Sequence, residues 1–133
     1  MSSYEWHHDG RRILIDLAIL RPSPPTDLTS IAVRALLDTG ATVSGISRGT
    51  AERLGIRSMG KRPIVTANGV FQAARYLFRI GIPSDGPLPF VFDDLLGFEL
   101  ADTDSFQAVL GMDVLRQCDF RMRRDGGCSL VFA

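Results

Sequence analysis

The sequence contains little cysteine and little histidine. The chain of 133 residues contains two cysteines, Cys118 and Cys128, and two histidines. Two cysteines do not make a disulfide framework. They lie near the C-terminus, where they could face each other across a hairpin or remain as reduced, half-buried thiols. His7 and His8 are adjacent, and neighbouring side chains on a strand point to opposite faces. We therefore expect no metal site there.

The sequence also lacks an excess of charge and a long apolar segment. Fifteen basic and fifteen acidic residues give a formal net charge of zero, so bulk charge favours neither nucleic acid nor an anionic membrane as a partner. Residues 1–12 are polar and lack the apolar core of a secretory signal, and no run approaches the roughly 20 apolar residues of a membrane span. We expect a cytoplasmic protein with one domain over residues 1–133.

An apolar run that leads into an acidic residue is the most informative stretch of the chain. Residues 33–42 read Val-Arg-Ala-Leu-Leu-Asp-Thr-Gly-Ala-Thr, so Asp38 lies where a buried strand opens into a loop. An ionised carboxylate near an apolar core needs hydrogen bonds, a partner or a raised pKa. Gly40 allows a tight turn and the close approach of another chain. The same three residue types are also common in ordinary turns.

Short apolar runs between clusters of Gly, Pro, Asn and Asp predict a protein made mostly of strands. The predicted strands cover residues 12–20, 29–37, 42–47, 90–92, 95–100 and 106–110. The Asp9-Gly10 pair predicts a turn that joins residues 4–6 to residues 12–20 in an N-terminal hairpin. A last hairpin is predicted from residues 119–123 and 129–132.

The longest predicted hairpin has arms at residues 64–67 and 70–82. Asn68-Gly69 is the commonest tip of a type I′ turn, and a hairpin of this length could project and move. These features are shared by a lid over a cleft and by an ordinary surface hairpin.

Two short helices are predicted next to strands. Ser47 is a suitable N-cap for the first, and Gly55 a suitable stop. The second begins after Gly111, and Asp113 lies in its first turn, where the helix dipole favours a negative charge. We therefore expect Asp113 to have a structural role.

One carboxylate alone is a poor hydrolase, whereas two that share a proton are a good one. Like charges about 3 Å apart cannot both ionise, so one pKa rises and the other falls. The ionised member then takes a proton from water while the protonated member polarises an amide carbonyl. Since the chain has one such residue, a two-fold homodimer would have to bring Asp38 against its own copy.

Two stretches carry a resemblance to a known family. Residues 38–42 after an apolar strand resemble the active-site motif of the retropepsin-like aspartic proteases, and Ser44, Ile46 and the Ala-x-x-Leu-Gly of residues 51–55 are similar to many bacterial and eukaryotic members. Residues 109–115, Val-Leu-Gly-Met-Asp-Val-Leu, resemble the family's second signature. The predicted hairpin lies between them, where the family carries its flap.

The resemblance implies an all-β, single-lobe acid-protease barrel with one or two short helices and a flap hairpin. Such a chain works as a homodimer and hydrolyses peptide bonds through an activated water, without metal, cofactor or covalent intermediate. The resemblance assigns catalysis to Asp38, with Thr39 gripping the partner subunit and Gly40 as support. It assigns contacts with a peptide or protein substrate to four residues: Ala41, Asn68, Gly69 and Val70.

The sequence departs from the viral members of this family. Their flap tip is rich in glycine, whereas Gly69 is the only glycine here, and Met112 stands where they usually carry arginine. The second departure favours the cellular and bacterial branch. Residues 129–132 could supply a dimer sheet, as terminal strands do in viral members. The alternative is a non-catalytic module that keeps the fold and binds a partner chain through the dimer or a strand edge. The intact Asp-Thr-Gly favours the protease.

Overall fold

Alternating and continuous apolar runs make most of this chain strand. The computed structural model describes residues 2–8, 10–84 and 86–132. Within them lie eleven strands and two short helices. The strands are β1 Ser3–His7, β2 Leu14–Leu20, β3 Ser30–Leu37, β4 Gly45–Ser47, β5 Lys61–Thr66, β6 Gly69–Ile82, β7 Phe90–Val91, β8 Leu95–Leu100, β9 Ala108–Leu110, β10 Asp119–Met122 and β11 Gly127–Val131. The helices are α1 Arg48–Arg53 and α2 Met112–Leu115. The predicted all-β class is confirmed.

Both helices are short, and each follows a strand. Ser47 caps α1 as predicted, because its side-chain oxygen accepts a hydrogen bond from the Thr50 N–H. Gly55 follows the helix with φ of +69°, a conformation that glycine adopts most readily. Among the described residues, no helix has the length and apolar character needed to cross a membrane.

The main sheet closes on itself through β2 and β6. β2 pairs with β3 along one edge and with β6 along the other, and the path from β3 to β6 runs through β9, β4 and β8. β6 is long enough to pair with four strands: β5 at its start, then β8, and finally β2 and β7 on opposite edges of its last residues. The enclosed core includes Ile15, Ile19, Phe78, Ile80 and Leu110, all at most 1% exposed.

The parallel pair β3 and β9 brings the two informative stretches of the sequence together. Leu37 lies opposite Leu110 at the end of this pair. Asp38 and Gly111, the next residues of the two strands, therefore start neighbouring loops at one edge of the barrel. The Asp38 N–H donates to the Leu110 carbonyl at 3.0 Å, which continues the ladder by one more hydrogen bond.

The N-terminal strand does not form the predicted hairpin with residues 12–20. β1 pairs with β11 instead, and β11 also pairs with β10. β3 pairs with one edge of β2 along its whole length, and β6 covers the other edge at Ala18–Leu20, whereas all five residues of β1 are paired with β11. Of the two residues of the predicted turn, Gly10 is described and Asp9 lies outside the described residues. The prediction failed because a local turn signal carries no information about which distant strand pairs with β1.

The last hairpin is confirmed, but it does not take either of the two further arrangements considered for it. β11 is the middle strand of a three-stranded sheet ordered β1-β11-β10. Both of its edges are therefore paired within the chain, and residues 129–132 cannot add a strand to a partner as proposed for the dimer sheet.

The two cysteines do not face each other across this hairpin. Cys128 lies opposite Met122, whereas Cys118 precedes the residue that lies opposite Val131. This places the two thiols about 13 Å apart along the strands, too far for a disulfide. Both are free. Burial, with a smaller contribution from the nearby Asp119 carboxylate, raises the pKa of Cys118 to about 11.

The long hairpin is present, with its tip displaced by one residue from the predicted position. Thr66 lies opposite Gly69, so Ala67 and Asn68 are the two turn residues. No described residue other than glycine has a positive φ, which excludes the predicted type I′ turn because that turn needs positive φ at both central positions. Gly69, at φ of +124°, takes the conformation that a side chain would oppose.

Candidate active site

Asp38 is a half-buried carboxylate at the end of a core strand. Its Oδ1 accepts a hydrogen bond from the Gly40 N–H at 2.8 Å, and its backbone carbonyl accepts one from the Ala41 N–H at 3.2 Å. The loop therefore turns back on itself around Asp38. Asp38 remains partly exposed, and the next two residues, Thr39 and Gly40, are exposed.

The proposed support residues divide into two kinds. The Gly40 N–H, expected to support the active site, donates within its own chain to the Asp38 carboxylate, which it orients. Thr39 is exposed at the tip of the same loop, where its hydroxyl is accessible to another molecule.

A second carboxylate holds the far end of this loop. Asp113, in the first turn of α2, accepts hydrogen bonds from the Ser44 hydroxyl at 2.6 Å and from the Ser44 N–H at 2.9 Å. The same Ser44 hydroxyl oxygen accepts a hydrogen bond from the Gly111 N–H at 3.0 Å. Ser44 is fully buried, and its polar atoms are thus satisfied by the second signature of the chain. The expected structural role of Asp113 agrees with this arrangement.

The contact between the two loops leaves no space for a side chain. A Cβ on Gly111 would lie 2.7 Å from the Val43 backbone and 2.9 Å from the Ala41 carbonyl oxygen. That carbonyl also accepts a hydrogen bond from the Met112 N–H at 2.8 Å. Behind the loop, a Cβ on Gly97 would lie 2.2 Å from the Ser44 carbonyl oxygen. Glycine at these two positions lets the loop of Asp38 pack directly on backbone.

The sequence singled out Ser44 and Asp113 separately but did not predict the hydrogen bonds between them. They are 69 residues apart, and each has a local explanation, Ser44 as part of a motif and Asp113 as a partner of the helix dipole. The signal that could have joined them is that β3 and β9 end in the same apolar-apolar pattern. Two such strands paired in parallel would place the loops after them side by side.

The proposed flap residues lie in a different element from Asp38. Asn68 belongs to the turn of the long hairpin, and Gly69 and Val70 begin its second strand. Large apolar side chains are exposed near this tip: Val65 is 81%, Val70 63% and Phe71 53% exposed. Val65 lies directly opposite Val70, so these two side chains share one face of the hairpin, whereas Phe71 lies on the other. Both faces of the tip thus offer apolar surface.

Within the described residues, no three His, Cys, Asp or Glu side chains are grouped so that they could hold a metal ion. The loop of Asp38 itself carries a carboxylate, the hydroxyl of Thr39 and backbone groups.

Comparisons with known proteins agree with this geometry. The sequence profile of a family described as "gag-polyprotein putative aspartyl protease" matches residues 29–117, which contain both signatures. No curated protein sequence is significantly similar to the chain.

Two solved structures share the fold. The crystal structure of a retropepsin-like aspartic protease from Rickettsia conorii has 23% sequence identity and a TM-score of 0.68, covering 96% of this chain and 90% of that one. The protease of EIAV, solved in complex with the inhibitor HBY-793, has 19% identity and a TM-score of 0.52, covering 80% of this chain and 86% of that one. Since the family profile spans more than half of the sequence, the chain belongs to the retropepsin-like aspartic protease family.

Proposed function

We propose that this protein is an aspartic endopeptidase that works as a homodimer. The observation that carries the proposal is the Asp38 carboxylate, held by the Gly40 N–H at the accessible end of a buried strand. Paired with its copy across a two-fold axis, Asp38 would share one proton, and the ionised member would activate a water against the peptide carbonyl. The family membership and the protease fold of the two solved neighbours support this assignment.

The proposed substrate is an extended peptide or protein segment. The exposed apolar side chains of the hairpin tip, Val65 and Val70 on one face and Phe71 on the other, would cover such a segment. Asn68 and Gly69 would offer backbone groups to it, and Ala41 would line the floor of the cleft beside Asp38. Thr39 would contact the partner subunit and hold the two carboxylates close. We further propose a single domain and a cytoplasmic location, where free thiols persist.

The activity is tested with a diverse peptide library whose cleavage products are sequenced. If the dimer carries the site, the rate depends on the concentration of dimer rather than of chain. Well below the dimer dissociation constant, activity per chain should fall about 10-fold for each 10-fold dilution. Sedimentation at the same concentrations measures the dimer directly. Full activity of a monomer would contradict the proposal.

The three-stranded sheet β1-β11-β10 limits how two copies of the chain can pair by strand addition. Because β11 is covered on both edges, only the outer edges of β1 and β10 could extend it. We favour β10, because antiparallel pairing of two copies centred on Phe120 would set Asp119 of each copy opposite Arg121 of the other. Both side chains are exposed, and opposite charges across strands stabilise such pairs by roughly 0.2–1 kcal/mol each.

Reversal of one of these charges should weaken the dimer, and reversal of both should restore it. Arg121→Asp would set carboxylates opposite each other twice across the axis, and we expect the dimer dissociation constant to rise roughly 10-fold. Asp119→Arg combined with Arg121→Asp re-forms both pairs and should return the constant to within about 3-fold of the original. Sedimentation provides the measurement, with Arg124→Asp in the adjacent turn as the control. A double variant no better than Arg121→Asp would reject this edge.

A further inference from the structure

A basic cleft lies between the N-terminal strand and the outer face of the barrel. It has a volume of about 660 Å³ and is lined by residues of β1, of the segment that follows it, and of β2 and β3. Its size falls within the range of pockets that bind small molecules and peptide side chains. The residues of the Asp38 loop and of the hairpin tip do not line it.

The charged groups of this cleft are unbalanced. Among the described residues that line it, three arginines, Arg11, Arg12 and Arg34, stand against one carboxylate, Asp16. Asp16 and Arg34 form an ion pair at 3.7 Å, but the two side chains are 72% and 58% exposed, and such a pair is weak. Arg12 is oriented by the Phe106 ring, since its guanidinium lies 5.8 Å from the ring centroid. Among the described residues of the cleft, guanidinium groups therefore outnumber carboxylates.

Two aromatic side chains of β1 form part of the cleft lining. Tyr4 and Trp6 are two residues apart and so lie on the same face of the strand, where their rings stack with centroids 5.6 Å apart. The indole Nε1–H of Trp6 is buried and has no hydrogen-bond acceptor among the described residues. Because this N–H is buried, Trp6 contributes its ring and not its hydrogen-bond donor to the cleft lining.

We propose that this cleft binds an acidic peptide segment. Guanidinium groups pair with carboxylates through two parallel hydrogen bonds, and the aromatic rings offer an apolar surface to the peptide backbone and its side-chain stems. A peptide with carboxylate side chains uses the arginines and the aromatic surface together, whereas a free phosphate would use only the arginines. The site is separate from Asp38, so binding does not depend on cleavage.

Trp6 itself reports binding, because it is the only tryptophan in the chain. The protein is titrated as the full-length Asp38→Asn variant, which keeps any peptide intact, and the intrinsic fluorescence is followed. The probe is a capped hexapeptide of alternating Glu and Ala, and its counterpart has Gln in place of Glu. We expect a saturable change with the Glu peptide and binding weaker by about 10-fold or more with the Gln peptide. Equal binding of the two peptides would overturn the proposal.

Matched variants distinguish peptide binding in the cleft from general electrostatic attraction between the peptide and the protein. Arg11→Gln combined with Arg34→Gln removes two charges from the cleft, and we expect about a 10-fold loss of affinity for the Glu peptide. The control, Arg53→Gln with Arg57→Gln, removes two exposed charges outside the cleft and should change the affinity less than about 2-fold. Equal losses in both variants would reject a specific site. A tighter response to inorganic phosphate or to a short oligonucleotide than to the Glu peptide would also overturn the peptide assignment.

Discussion

Replacement of Asp38 by asparagine is expected to abolish peptide cleavage and to leave the fold and the dimer intact. The amide keeps the size of the side chain and can still accept the hydrogen bond from the Gly40 N–H. It cannot share a proton with its copy or take one from water, however, so the general acid–base contribution of roughly 10²–10⁴-fold is lost. The measurement is cleavage of a library-derived substrate at a concentration where sedimentation shows the dimer.

The matched control is Asp104→Asn, which makes the same chemical change in an exposed loop. We expect this variant to cleave at the rate of the unchanged protein. If Asp38→Asn still cleaved the substrate at a comparable rate, the aspartic mechanism would be rejected. If both variants lost activity together, the assay would be reporting general damage and not the carboxylate at the end of β3.

Replacement of Asp113 by alanine is expected to destabilise the protein by roughly 3 kcal/mol or more. Hydrogen bonds to a charged acceptor contribute roughly 1.5–3 kcal/mol each, and Asp113 accepts two from Ser44 alone. The loss would leave the hydroxyl and N–H donors of a fully buried serine without this acceptor. Chemical denaturation monitored by circular dichroism measures the change in the free energy of unfolding.

The same variant tests whether Asp113 acts on the Asp38 loop or only on overall stability. Ser44 is the other end of the loop that begins at Asp38, so cleavage per folded dimer should fall well before the protein unfolds. Ser44→Ala removes the hydroxyl but leaves the backbone N–H bond to Asp113, and a smaller loss of stability is expected. Asp104→Ala, in an exposed loop, should remain within about 0.5 kcal/mol of the original. If Asp113→Ala were equally mild, Asp113 would not hold the loop.

Local sequence patterns predicted most of the strands because they depend on near neighbours. The apolar run before Asp38 became β3, and the runs at residues 90–92 and 95–100 became β7 and β8. The cap at Ser47 was also predicted correctly, since its partner Thr50 lies three residues away. Each of these features is decided by side-chain period, turn chemistry or capping within one short segment.

The errors share a different origin. The Asp9-Gly10 turn predicted the wrong partner for β1, and the tip of the long hairpin was misplaced by one residue. Strand pairing and register depend on which edge is free and which residues must face the core. These are properties of the assembled sheet, and a local turn signal does not contain them.

By itself, the sequence determined that a carboxylate followed by Thr and Gly ends an apolar strand, and that a second apolar-apolar-Gly stretch follows about seventy residues later. That was enough for the class of fold and for Asp38 as the candidate nucleophile-activating residue. Only the tertiary structure decided that Asp113 binds Ser44 and that β11 is covered on both edges, and it alone placed three arginines and Trp6 around one cleft. The physical reason is that hydrogen bonds and clefts between distant segments arise from the closure of the barrel, which no single stretch of chain specifies.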